Sequence, residues 1–106
     1  MKCIQQLLEV NKEDLPEIYC DMDQVLCDFL KGAEKVIGEP FVNVDSVKRW
    51  NIISNTKDFW ENLEWMPGAE RLYMRIAKYN PHILSAYAKR DKNSRTGKMK
   101  WLSRNT

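Results

Sequence analysis

Apolar positions along this chain follow two different periods, and the switches between them predict its elements. Over residues 2–10, Ile4, Leu7, Leu8 and Val10 recur at roughly helical spacing, which predicts a short amphipathic helix leading into a loop at 11–16. Glu17-Ile18-Tyr19-Cys20-Asp21 follows Pro16 as a short run rich in β-forming residues and reads as a buried strand ending in a carboxylate. Apolar residues at 25, 26, 29, 30, 33, 36 and 37 then fit a helix closed by Gly38. Residues 39–65 lose this periodicity while gathering Trp50, Phe59, Trp60 and Trp65, so they read as an insertion of one or two short helices rather than as sheet. Pro67-Gly68-Ala69-Glu70 opens a helix running to about Tyr79, with Leu72, Ile76 and Tyr79 on one face. Asn80-Pro81 stops it, and His82-Ile83-Leu84-Ser85-Ala86 predicts a second short strand ending in a hydroxyl. A polar loop follows, and helical character resumes from Thr96.

The resulting order of strand, helix, insertion, helix, strand and helix is that of an α/β domain. Its crossovers are long and helical, so the strands should be parallel. Ligands of such sheets gather at the carboxyl ends of the strands, where Asp21 and Ser85 fall. Residues 17–38 and 66–106 would form the core, 39–65 the insertion, and 1–16 a lead-in. A length of 106 residues is enough for one such domain.

With 43% apolar and 30% charged residues, disordered and fibrous classes are excluded. No run approaches the about 20 apolar residues that span a bilayer, and polar residues interrupt the first positions too early for a signal peptide, so a cytoplasmic protein without a membrane partner is expected. Cys3, Cys20 and Cys27 lack metal-ligand spacing and read as free thiols. The net charge of +2 conceals a polarity: residues 89–104 hold seven Lys/Arg against the single Asp91. That basic end suits either a phosphate-bearing ligand or a solvated helix face.

Asp21 and Asp23 stand one residue apart just beyond a strand, where mutual repulsion and desolvation penalise both charges. A divalent cation offsets this economically; magnesium takes one or two carboxylates, phosphate oxygens and water. Taken alone, an Asp-x-Asp pair also fits a solvated turn or a helix cap.

The stretch Ile18-Tyr19-Cys20-Asp21-Met22-Asp23-Gln24-Val25-Leu26 resembles the first motif of the haloacid-dehalogenase (HAD) superfamily, a hydrophobic strand followed by Asp-x-Asp-x-Val/Thr-Leu, with Gln24 in place of the usual Gly. Ile83-Leu84-Ser85 resembles its second motif, and Lys98 before Met99-Lys100-Trp101-Leu102 its third. Within the superfamily the chain is most similar to the 5'(3')-deoxyribonucleotidase family, through Asp28-Phe29, Asp58-Phe59-Trp60-Glu61-Asn62-Leu63, Met66-Pro67-Gly68-Ala69 and Lys98-x-x-Trp101.

The resemblance implies a HAD-like Rossmannoid parallel sheet, C-terminally short, with a small helical cap over residues 39–65. It implies a magnesium (Mg2+)-dependent phosphomonoesterase that acts on deoxyribonucleoside monophosphates through an aspartyl-phosphate. Asp21 would be the nucleophile and Asp23 the general acid and base, both serving the metal, with Ser85 and Lys98 on the phosphoryl oxygens. Phe29, Phe59 and Trp60 would face the nucleobase, a stack worth about 1 to 3 kcal/mol, although aromatic residues also commonly fill small cores.

The resembling family continues past its lysine helix to further strands and a fourth, acidic motif that completes the metal site. Eight residues follow Lys98, and the only carboxylate beyond Ser85 is Asp91, which precedes that lysine. The expectation is therefore a piece of a longer enzyme, or a short chain whose two-stranded core is completed by a partner chain or a second copy. The rival expectation is a catalytically inactive binding protein that uses residues 89–104 to contact nucleic acid or an acidic partner.

Overall fold

Parallel pairing of two short strands sets where the polar ends of this chain meet. The computed structural model describes residues 17–106; the helix expected over 2–10 lies outside them. Strand β1 (Tyr19–Asp21) pairs with β2 (His82–Leu84), with Tyr19 opposite His82, Cys20 opposite Ile83 and Asp21 opposite Leu84. His82 N donates to Ile18 O at 2.7 Å and Met22 N to Leu84 O at 3.0 Å, which extends the ladder at both ends. Asp21 and Ser85 consequently leave the sheet at the same edge.

Helices α1 (Phe29–Ile37), α2 (Ser46–Ser54), α3 (Ala69–Ile76) and α4 (Ser94–Asn105) complete a mixed α/β arrangement among the described residues. None of them is long and apolar enough to cross a membrane. Alternation along β1 buries Ile18, Cys20 and Met22 against the helices and leaves Tyr19 exposed on the opposite face, where its ring stacks on His82 at 4.9 Å. Leu84 is exposed as well. The sheet is thus covered on one face by the described residues, a narrower burial than the apolar strand runs predict.

The first helix begins later than its apolar pattern predicts. Met22 O accepts from the backbone N–H groups of Val25, Leu26 and Cys27 at 3.3, 2.8 and 3.0 Å, which winds residues 22–27 into a single turn. Cys27 then bridges to Trp65, with Asp28 N donating to Glu64 O and Met66 N to Leu26 O, so the C-terminal end of the insertion is tied to the core just ahead of α1. Asp28 caps α1 by accepting from Lys31 N at 3.1 Å, and Gly38 closes it at φ 84°.

Gln24 sits in this turn at φ 56°, a left-handed conformation that costs a residue with a Cβ about 1 kcal/mol. Its side chain offsets the cost: Oε1 accepts from Leu30 N at 2.7 Å and Nε2 donates to Asp28 Oδ1 at 3.3 Å. A glutamine can therefore stand here in place of glycine.

The insertion holds one 3-10 turn (Phe41–Asn43) and α2, whose first turn is capped by Asp45. Helix α3 starts after Gly68 and tightens into a 3-10 turn over Ala77–Tyr79 before Asn80 ends it at φ 52°. Helix α4 packs through the fully buried Trp101, whose Nε1 donates to Leu63 O at 2.7 Å.

Close approach of α4 to the insertion depends on Gly97: a Cβ built there would lie 2.6 Å from Trp60 Cβ. Helix propensity alone favours alanine over glycine by about 1 kcal/mol. Overpacking against a buried tryptophan costs about 1 to 3 kcal/mol and prevails. Gly97→Ala is expected to lower the urea midpoint without changing the slope of the transition; a raised midpoint would show that the helix has room to spare.

Candidate active site

Lys98 belongs to the first half of α4, yet it turns inward and is 5% exposed. A buried ammonium requires acceptors, because its three N–H donors would otherwise lose water without replacement. Lys98 Nζ donates to Asp23 Oδ2 at 2.9 Å, to Ser85 Oγ at 2.8 Å and to Ala86 O at 2.5 Å. Ser85 Oγ in turn donates to Asp23 Oδ2 at 2.9 Å. Three segments distant in sequence thus meet at one ammonium: the turn after β1, the loop after β2 and α4. The indole of Trp60 adds its face at 5.1 Å from Nζ.

Asp21 ends β1 with an exposed side chain and lines a cleft of about 420 Å³ together with Asp23, Leu84, Ser85 and Ala86. Asp23 Oδ1 is buried and has no hydrogen-bond partner. An unmet buried acceptor costs about 1 to 3 kcal/mol. With Asp21 lining the same cleft, an unpartnered carboxylate oxygen suits a hard cation such as magnesium, which Asp21 and Asp23 would hold. Among the described residues no group of three or more His, Cys, Asp or Glu gathers, so a cation here would draw its remaining ligands from water and from the oxygens of a bound phosphate.

A second, more apolar pocket of about 250 Å³ adjoins the first, the two sharing Asp23 and Ala86. Phe29, Trp50, Trp60 and Tyr87 line it beside Lys98. Phe29 stacks on Trp60 at 5.3 Å and on Trp50 at 6.0 Å, which stiffens the wall. Phe59 takes a different place. It is 6% exposed, meets Trp60 edge-on at 5.1 Å within the core, and does not line this pocket. Trp50 and Tyr87 occupy wall positions that the motifs did not single out; the signal available for Tyr87 was its place two residues beyond Ser85.

The remaining polar candidates sort by burial. Asp91 is 2% exposed and accepts from Trp60 Nε1 at 2.8 Å and Asn93 N at 2.9 Å, away from the cleft of Asp21. Among the cations of residues 89–104, Lys98 alone is buried, while Lys89, Arg90, Lys92, Arg95, Lys100 and Arg104 are exposed. Arg90 donates to Ser46 Oγ at the start of α2, and Arg95 lies 5.2 Å over the ring of Tyr87. Cys27 is fully buried behind Asp23, with its Sγ 3.7 Å from Met22 O. Burial, and next the charge of Asp23, push its thiol up to about 12, so at neutral pH it is no nucleophile.

No family model, curated protein or solved structure matches this chain. Its fold and site therefore rest on its own geometry.

The raised Cys27 thiol carries a pH signature. A group whose pKa rises from 9.0 in the open chain to about 12 on folding stabilises the fold fully below pH 9 and loses that contribution as pH climbs toward 12. Chemical denaturation of wild type should show a decline between about pH 9 and 11 that is shallower in Cys27→Ala. Parallel declines in the two proteins would assign the alkaline loss to other groups.

Proposed function

We propose that this chain carries the phosphoryl-transfer site of a HAD-type, magnesium-dependent phosphomonoesterase whose substrates are nucleoside monophosphates. The observation that carries this reading is the convergence of Asp23, Ser85 and Lys98 within hydrogen-bond distance, with Asp21 lining the same cleft. The adjoining aromatic pocket supports a substrate that joins a phosphate to a flat ring. Deoxyribonucleotides are the class favoured by the resemblance in the motifs.

In this reading Asp21 attacks phosphorus with one carboxylate oxygen, the ester oxygen departs with a proton from Asp23, and an aspartyl-phosphate remains. Asp23 then removes a proton from water, whose oxygen attacks phosphorus; inorganic phosphate leaves and the Asp21 carboxylate is restored. Ser85 and Lys98 stabilise the charge on the phosphoryl oxygens. Magnesium held by Asp21 and Asp23 would neutralise charge gathered between carboxylates and phosphate. All three donors of Lys98 are engaged, so an arriving phosphate must replace one acceptor. Replacing Asp23 Oδ2 would also release that carboxyl for proton transfer.

The acid that the family's fourth motif supplies has no counterpart in this cleft among the described residues, since Asp91 is engaged with Trp60. Turnover is accordingly expected to be slow unless a partner chain, a second copy or further sequence completes the site. The six exposed cations of residues 89–104 favour a second reading, in which the same fold binds nucleic acid without turnover.

Purified protein with magnesium should release phosphate from nucleoside monophosphates. Asp21→Asn should abolish the release and Asp23→Asn should reduce it by about 10² to 10⁴-fold. Equal release by wild type and Asp21→Asn would refute the enzyme. Steeply salt-dependent nucleic-acid binding without phosphate release would favour the second reading.

A further inference from the structure

Trp60 and Asp91 are two buried polar side chains that answer each other. Trp60 is 3% exposed and its indole N–H needs an acceptor; Asp91 is 2% exposed and its carboxylate needs donors. They come from the loops preceding α3 and α4 and meet at 2.8 Å. Asp91 is itself anchored at the start of α4: Oδ1 accepts from Asn93 N at 2.9 Å, and its main-chain carbonyl accepts from Ser94 N at 3.1 Å. Negative charge is favoured at that end of a helix. Each carboxylate oxygen accepts one of these bonds, and Asp91 does not line the cleft of Asp21 and Asp23.

The indole so held faces in two functional directions. Its ring lies 5.1 Å from Lys98 Nζ, and it stacks at 5.3 Å and 22° on Phe29 in the wall of the aromatic pocket. We propose that Asp91 is a positioning residue for ring-bearing phosphate esters, fixing Trp60 so that the aromatic pocket stands in register with the phosphate end at Ser85 and Lys98. This inference rests on the phosphatase reading above. An acid is required rather than an amide: two donors, Trp60 Nε1–H and Asn93 N–H, point at the two oxygens, and an asparagine would turn its NH2 toward one of them. Loss of the bond frees the indole to tilt. Lys98 still keeps its oxygen acceptors at Asp23, Ser85 and Ala86, so the phosphate end persists.

Steady-state kinetics with magnesium, using a nucleoside monophosphate and the ring-less ester glycerol phosphate, separate the two ends of the site. Asp91→Asn should raise KM for the nucleotide about tenfold, the scale of one base–aromatic stack, while kcat and the constants for glycerol phosphate hold. Trp60→Phe, which removes the donor together with part of the pocket wall, should raise that KM at least as far, and adding Asp91→Asn to it should raise KM no further. Because Asp91→Asn could unfold the α4 start, Asp91→Ser, which keeps an oxygen acceptor for Asn93 N but falls short of the indole, serves as the second probe and should raise the same KM. Equal effects on both esters, no effect on either, or additive losses in the double variant would overturn the positioning role while leaving the phosphatase reading in place. A wild-type protein that hydrolyses neither ester would instead overturn that reading, and this inference with it.

Discussion

An ammonium group removed from water must be surrounded by oxygen, and much of this structure can be read as the surroundings of Lys98. Withdrawing the charge costs several kcal/mol, roughly, unless acceptors replace the lost water. Asp23, Ser85 and Ala86 supply those acceptors, and each stands where it does because of an element boundary. Parallel pairing of β1 with β2 brings the two strand ends together. The turn wound on Met22 O presents Asp23, and α4 delivers the lysine from behind. Asp23 is about one-third exposed at its side chain, so water screens the pair, and the larger penalty lies in stranding the ammonium rather than in losing attraction.

The helix carrying that lysine is held against the insertion by a second set of contacts. Gly97 lets α4 approach Trp60, Trp101 donates to Leu63 O, and Asp91 accepts from Trp60 Nε1. Trp60 therefore belongs to the core through its burial and to the site through its face. The same packing that gives a small domain its stability gives the aromatic pocket its wall. Such sharing explains why the insertion, although irregular, is stitched to the core at Cys27 and Trp65 and again through Arg90 and Ser46.

Legibility in the sequence followed locality. Asp21, Asp23 and Ser85 stand at or just beyond the ends of short apolar runs, so periodicity together with the α/β order directs them toward one sheet edge. Lys98 is one cation in a basic stretch, and its distinction from Lys100 or Arg95 is a matter of burial; the resemblance in Lys98-x-x-Trp101 singles it out, and composition does not. Helix α1 starts later than its apolar pattern because Val25 and Leu26 continue the helical spacing while their N–H groups are captured by Met22 O, a turn geometry that apolar spacing does not record. The aromatic residues are the least legible. Residues 39–65 have no periodicity to separate a wall from a core, so Phe59, edge-on to Trp60, and Trp50, which faces the pocket, look alike in sequence.

Asp23 and Lys98 should be energetically coupled across the cleft, and a double-mutant cycle on folding stability measures that coupling. Asp23→Ala and Lys98→Met, alone and together, should show a coupling of about 0.5 to 3 kcal/mol, the double variant losing less than the sum of the singles. Strict additivity would mean that the two groups do not sense each other, and would contradict the site as described.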